Sequence, residues 1–382
     1  MEFTQYIDKW CNFYTNILSF IDSNNDYQDL LSFIKNWKKE NMNIYDLNII
    51  LLLISKLSNN HHRSPNFFNK LEQIILIFKD EISQNFSNSN IFTIFKKNKR
   101  ILYFLINERL LVIDEKIANV ITKENYYVQA KYPNYFLSEI KPFLQKKALK
   151  KLEQFNKSAL TNLQNNEDSN DFETLQKNGE NENLICQLIR NDSINEFIEY
   201  INQKNFSISM IIKPSIFETN PLLIKKNPTL IEYAAFFGSV QIFKYLFLNG
   251  SDLNSSLWLF VIHGRNAELI HFLEENKIEP KNKDYQEFIY EAIKCHHNEL
   301  ATYICDNLFS QPECEDCIDP FVKSFKYIDF ELFPNNLTNH ITFYYLCKYD
   351  YAYLVELILK TQDLDVNTQI IFSTFLTLFL FF

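Results

Sequence analysis

The chain has 382 residues, and 46% of them are hydrophobic, which is enough to bury a sizeable core in two or three domains or in one long repeat array. Only four glycines occur, which argues against glycine-rich phosphate loops and turn-dense β-barrels. The net charge of −9 argues against a nucleic-acid-binding protein, because such proteins present a basic face.

Residues 1–163 are predicted to form an α-helical region. Apolar side chains recur at helical spacing from Tyr6 to Ile21 and again from Leu30 to Trp37. The continuous apolar run at 49–54 is far shorter than the roughly 20 residues that a membrane span requires, so a buried helix is expected there. Further helices are predicted over 67–86, 91–107, 109–121 and 143–163.

Two short basic stripes lie in this region, one at Lys96, Lys97, Lys99 and Arg100, the other at Lys146, Lys147, Lys150 and Lys151. Each is predicted to be a solvated helix face rather than a nucleic-acid site, because both are short. His61 and His62 stand close to Pro65 and are predicted to lie in a solvated loop. Residues 164–183 are rich in Asn, Glu, Asp and Gln and predict a polar linker.

The segment from Thr229 to Asn254 carries the strongest motif. It opens Thr-Leu-Ile-Glu-Tyr-Ala-Ala, passes through Gly238 to a second apolar block and closes Gly-Ser-Asp-Leu-Asn. Adjacent alanines allow close helix packing, and a glycine suits the left-handed residue that ends a helix. The segment resembles the ankyrin repeat at Thr229, Ala234, Ala235, Gly238, Ile242, Leu246, Gly250, Asp252 and Asn254.

Fainter copies of the block that starts at Gln241 start at Glu196, Glu268, Glu299 and Tyr353. The intervals between them are unequal, against an ankyrin period of about 33 residues, which indicates lost hairpins and an insertion or an undetected unit. The resemblance covers residues 184–369. It implies an all-α protein, with an ankyrin-like helical repeat solenoid in the C-terminal half after the α-helical N-terminal region.

The resemblance also implies a non-enzymatic scaffold or adaptor that binds another protein along a groove of hairpin tips and first helices. The expected contact residues are Ser251, Asp252, Asn254, Trp258 and Arg265. Tryptophan and arginine are frequent anchors at interfaces. The alternative for Trp258 is a place in the core, which its position in the helical periodicity favours.

Cysteines and histidines between 295 and 317 are the nearest approach to a metal site: Cys295, His296, His297, Cys305, Cys314 and Cys317. Structural zinc usually takes four ligands in paired short spacings, and only one such pair is present. No metal is therefore predicted, and Cys295 and Cys305 are expected to pack as small hydrophobic side chains. No nucleophile, acid–base or phosphate-binding motif is recognisable, so neither catalysis nor a cofactor is expected.

Residues 370–382 are almost wholly apolar, and three interpretations remain open for them. They form a truncated or frame-shifted last repeat, pack on the preceding repeat, or dock on a membrane or partner. The alternative function is thus a membrane-associated adaptor docked through this tail. The seven cysteines are scattered, and the opening segment lacks the basic and apolar regions of a signal peptide in their usual order. Both features predict an intracellular protein, with the cytoplasm as the favoured compartment.

Overall fold

The computed structural model describes residues 3–23, 26–42, 44–64, 66–164, 172–280, 284–308, 320–333 and 340–361. Over these residues the protein is helical and contains no β-strand; Ile211 and Thr229 form an isolated antiparallel bridge. The predicted all-α class is confirmed.

The helices of the first 164 residues are α1 (Phe3–Asp22), α2 (Tyr27–Asn41), α3 (Ile44–Asn60), α4 (Phe67–Ile77), α5 (Lys79–Asn85), α6 (Asn88–Phe95), α7 (Lys99–Asn107), α8 (Glu115–Lys123), α9 (Asn125–Gln129), α10 (Tyr132–Tyr135), α11 (Leu137–Ile140) and α12 (Lys146–Gln164). Residues 172–280 carry α13 (Phe172–Asn178), α14 (Leu184–Arg190), α15 (Ile194–Lys204), α16 (Pro221–Lys226), α17 (Leu230–Phe237), α18 (Val240–Leu248), α19 (Leu257–Gly264) and α20 (Ala267–Glu275). The helices that follow are α21 (Gln286–Lys294), α22 (Asn298–Asn307), α23 (Ser324–Tyr327), α24 (His340–Lys348) and α25 (Ala352–Thr361). Turns of 3-10 helix lie at Lys141–Phe143, Pro320–Lys323 and Phe330–Leu332.

The chain divides into two compact units. The first joins the residues up to Lys56 to the described residues from Pro280 onward, and the second runs from Leu57 to Glu279. The domain limits expected from the sequence, 1–163 and 184–369, follow the chain in order, whereas the first unit combines segments from both parts. The expected limits were drawn from composition and motif alone, and neither carries information about contacts between segments that are distant in sequence.

The core of the first unit is built around Trp10 of α1. Its ring is fully buried, stacks on Phe330 with centroids 5.3 Å apart and meets Trp37 of α2 edge-on at 5.5 Å. Lys9 Nζ lies 3.2 Å from the Asp46 carboxylate and 4.6 Å from the centre of the Trp37 ring. The apolar periodicity predicted the buried face of α1, and distant aromatic residues cover it.

Three helix pairs follow one another in the second unit: α14 with α15, α17 with α18, and α19 with α20. Helix α17 packs on α14 and α19, and α15 packs on α18. Gly264, at the end of α19, permits close approach to α17, because a Cβ atom there would overlap the carbonyl oxygen of Ala235 and lie 3.1 Å from the amide nitrogen of Gly238.

The turn inside each pair has a recurring geometry. Gly238 is left-handed (φ +68°), its amide donates to Ala235 O at 3.2 Å, and the amide of Ser239 donates to Ala234 O at 2.9 Å. These bonds define a Schellman motif, and α18 begins two residues after the glycine. The left-handed residue and the interval recur at Asp192, Arg265, His296 and Asp350, and both backbone bonds recur at all of these except Arg265.

The predicted polar linker at 164–183 is partly a packed segment. Residues 165–171 lie outside the described residues, but 172–178 form α13. Leu175 and Gln176 are buried, and two hydrogen bonds from a side chain to a backbone carbonyl join Gln176 to Tyr135. The Tyr135 hydroxyl donates to the backbone carbonyl of Gln176 at 2.7 Å, and Gln176 Nε2 donates to the backbone carbonyl of Tyr135 at 2.6 Å. The prediction of a linker is therefore wrong for residues 172–178, because a few apolar side chains are enough to anchor a short helix.

Candidate functional site

Side chains join the turns of neighbouring helix pairs in the second unit. The Asp192 carboxylate accepts the amides of Gln241 and Ile242 at 3.0 Å each and so caps the start of α18 from the preceding turn. Asn266 caps α20 with its Oδ1 and donates its Nδ2 to the Gly238 carbonyl at 3.3 Å. Each turn is therefore fixed by the one beside it.

The loop between α18 and α19 carries three of the residues predicted to contact a partner. Asp252 and Asn254 are exposed, whereas Ser251 is buried and donates its amide to Leu246 O at 3.0 Å. Asn254 Oδ1 accepts the amide of Ser256 at 2.9 Å, and the Ser256 hydroxyl donates to Glu232 at 2.8 Å. These bonds tie the loop to α17 and leave Asp252 and Asn254 facing solvent.

Arg265 and Trp258 have opposite environments. Arg265 is exposed at the left-handed turn before α20. Trp258 is 1% exposed, and its Nε1 donates to the Ile278 carbonyl at 2.5 Å. The prediction of a partner contact is wrong for Trp258, and the alternative of a core position describes it, since an indole buried to this degree presents no surface to a partner.

Two of the first helices, α17 and α19, offer little surface along the predicted groove. Every residue of α19 is buried, as are Leu230, Ile231 and 233–236 of α17. Within the second unit, His62 Nδ1 lies 3.1 Å from the carbonyl oxygen of His263, and the His263 ring stacks on Phe236 with centroids 5.0 Å apart. A partner cannot reach these helices without displacing packed side chains.

Solvent instead reaches the second helices. We call the exposed side chains of α15, α18 and α20 the outer face. It is held together by the Lys244–Glu268 ion pair and by the edge-on packing of Phe272 against Phe243, with centroids 5.4 Å apart. Leu248, at the end of α18, is 80% exposed and precedes the loop that carries Asp252 and Asn254. The outer face and this loop form the accessible surface of the helix pairs.

The basic stripe at residues 96–100 is a solvated face only in part, since Lys97 is exposed and Lys96 partly exposed. Lys99 is buried; its Nζ donates to the carbonyl of Ala130 at 2.8 Å and also to that of Ile216. Burial lowers the pKa of Lys99 to about 7, against the opposing effect of the nearby carboxylates. Arg100 is likewise buried and pairs with Glu72. Charge spacing alone contained no signal for this burial.

His61 is also buried, with its ring stacked on Phe67 at 6.0 Å, so the predicted solvated loop is wrong for this residue. Helix α3 extends to Asn60 and carries His61 into the apolar interior. A pair of adjacent histidines in a polar stretch gives no indication of which side chain turns inward.

The first unit holds a buried polar cluster of its own. The Tyr14 hydroxyl lies 2.9 Å from His296 Nδ1, and the same nitrogen lies 3.8 Å from Asp329 Oδ2. Asn298 donates to Asp329 Oδ1 at 3.1 Å. Burial raises the pKa of Asp329 to about 7, so this carboxyl is partly protonated near neutral pH. The cluster fixes the left-handed turn at His296, one of the residues whose spacing to nearby cysteines resembles a metal site.

The structure describes only some of the cysteines that were considered as zinc ligands. Cys314 and Cys317 lie outside the described residues. Cys295 is buried next to the turn at His296, and burial raises its pKa well above the ordinary value.

No family model matches the chain, and no match was found among the curated proteins or the solved structures with which it was compared. None of the helices in the described parts of the chain is both long and apolar enough to cross a membrane.

Proposed function

We propose that this protein is a non-enzymatic interaction scaffold whose helix pairs are degenerate ankyrin-type repeats. The observation that carries the proposal is the recurring turn at Asp192, Gly238, Arg265, His296 and Asp350, each followed after the same interval by a second helix. Gly238, Arg265, His296 and Asp350 each stand three residues before a copy of the block that starts at Gln241, whereas Asp192 stands four residues before its copy. Stacked pairs with short turns give a rigid surface, which suits binding another protein.

The binding surface we propose is the outer face together with the loop 251–256. Helices α17 and α19, two of the first helices that the ankyrin resemblance would offer to a partner, are covered by the chain itself. Asp252 and Asn254 remain accessible in the loop that follows Leu248, which offers exposed apolar area, and Arg265 is exposed separately at the turn before α20. A partner would gain burial energy at Leu248 and specificity from the polar residues.

The test is affinity capture with the full-length chain in extracts of its native cell, comparing Leu248→Glu with the unaltered protein. Val112→Glu is the matched control, because Val112 is 66% exposed elsewhere in the same unit. We expect partners to be lost with Leu248→Glu and retained with Val112→Glu. Equal capture by both variants would refute the outer face as the binding surface.

The alternative proposal, a membrane-associated adaptor, depends on residues 370–382, which lie outside the described residues. Flotation with liposomes separates the two proposals. Binding that requires 370–382 and resists Leu248→Glu would favour membrane docking, whereas partner capture without flotation would favour the scaffold.

A further inference from the structure

A cavity of about 740 Å³ opens in the second unit, apart from the outer face. Its walls are the end of α9 and the start of α10, the irregular segment 212–218, and α16. This volume is within the range of small-molecule sites, which run from about 300 to 1,000 Å³. Loops that enclose such a space are rare in cores, because their backbone polar groups need partners.

Three lysines line this cavity: Lys131, Lys213 and Lys225. Lys213 and Lys225 are exposed, and Lys131 is partly exposed, with its ammonium 5.4 Å from the centre of the Phe155 ring. None of the three pairs with a carboxylate in the part of the chain that the structure describes. Three unpaired cations around one cavity are unexpected in a chain of net charge −9.

One carboxyl group, that of Glu218, also lines the cavity, and it does not neutralise the lysines. Glu218 is 6% exposed, and its Oε1 accepts the amides of Thr219 and Asn220 at 2.9 Å each. Burial raises the pKa of this carboxyl, and the buried Arg63 guanidinium opposes the rise. The charge that reaches the open space is therefore positive.

The remaining walls are apolar and aromatic. The Tyr126 ring is 38% exposed, and Ile212 and Leu223 are buried side chains of the lining. An occupant would lay a ring or branched apolar body on this wall and turn an anionic group toward the lysine ammonium groups. Lysine binds phosphate and other oxyanions as a point charge and requires no single geometry.

We propose that this cavity binds a small organic anion, whose phosphate, sulfate or carboxylate group is held by Lys131, Lys213 and Lys225 and whose apolar body lies against Tyr126, Ile212 and Leu223. This site is independent of the protein-binding surface, since it shares no residue with the outer face.

The probe is 8-anilinonaphthalene-1-sulfonate, an aromatic anion whose fluorescence rises in apolar surroundings, titrated into the full-length protein. We expect saturable binding that phenyl phosphate displaces and that benzyl alcohol, a neutral molecule of similar size, does not. Lys213→Glu with Lys225→Glu should weaken binding at least tenfold. Lys147→Glu with Lys150→Glu on α12 changes the net charge equally at two residues that do not line the cavity, and should leave binding unchanged.

Two results would overturn the proposal: binding that is not saturable, or an equal loss in both double variants. If the cavity variant does not fold, lysine acetylation of the unaltered protein gives the answer instead. Phenyl phosphate should then protect Lys213 and Lys225 and leave Lys147 and Lys150 as reactive as before, and uniform reactivity would dispose of the site.

Discussion

Replacement of Gly264 by alanine tests the close contact between α17 and α19. The added Cβ would overlap the carbonyl oxygen of Ala235 and would lie 3.1 Å from Gly238 N and 3.3 Å from Phe236 O. All three neighbours are backbone atoms, so none can rotate aside. The helices must therefore separate, and with them the turns that Asn266 joins.

The expected magnitude follows from two opposing effects. Insertion of a methyl group into a packed contact costs about 1–3 kcal/mol, and the upper part of that range applies where the backbone must move. Alanine in place of a helical glycine returns at most about 1 kcal/mol. We expect the free energy of unfolding to fall by about 2 kcal/mol, measured from the denaturant midpoint followed by circular dichroism, with faster hydrogen exchange in α17 and α19.

Gly250→Ala is the control, because a Cβ there would meet nothing within 4 Å. Its left-handed backbone (φ +94°) predicts a cost of about 1 kcal/mol without a change in exchange at α17. The sign of the change in the free energy of unfolding for Gly264→Ala decides whether α17 and α19 pack this closely. A Gly264→Ala protein as stable as the unaltered one, or more so, would refute the close packing.

Three further variants test the capping and the buried charges. Asp192→Ala removes the cap of α18 and also places alanine at a left-handed residue (φ +48°), so it should cost about 2 kcal/mol in urea unfolding. Asp192→Asn keeps an acceptor and suits the left-handed backbone, so it should cost less, and an Asp192→Ala protein as stable as the unaltered one would show that the cap contributes nothing. Because burial lowers the pKa of Lys99 to about 7, the unfolded chain binds the extra proton above that pH, so stability should rise from pH 7 to 8.5, and Lys99→Met should flatten the rise. Burial raises the pKa of Asp329 from 3.8 to about 7, so the folded chain holds the extra proton, stability should fall as pH rises from 5 to 7, and Asp329→Asn should remove that slope. An unaltered pH profile in either variant would contradict the buried charge.

Local patterns in the sequence were enough to predict most helices. The spacing of Tyr6, Trp10, Phe13 and Ile17 defined the buried face of α1, because apolar periodicity directly reflects which side of a helix faces a core. The left-handed Gly238 is equally local and forms as the motif predicts, and the structure adds a capping box of Thr229 and Glu232 at the start of α17. The left-handed turns at Asp192, His296 and Asp350 escaped prediction, since no glycine marks them.

Only some of the partner-contact residues predicted from the sequence are exposed in the structure. Asp252, Asn254 and Arg265 are exposed as a partner contact requires, and they lie in turns whose conformation short-range rules describe. Ser251 and Trp258 are buried because α19 is covered on all sides, which depends on segments that are remote in sequence. Repeat motifs identify first helices but do not show what lies against them.

The sequence by itself therefore determined the helical class, the buried face of helices such as α1 and the left-handed residue that ends α17, because these depend on residues within a turn or two of one another. Only the tertiary structure decided that Lys99, Arg100 and His61 turn inward, that the groove along α17 and α19 is closed, and that Lys131, Lys213 and Lys225 surround one cavity. Burial of a charge depends on carbonyl groups and partners contributed by distant segments, and a linear pattern carries no record of them.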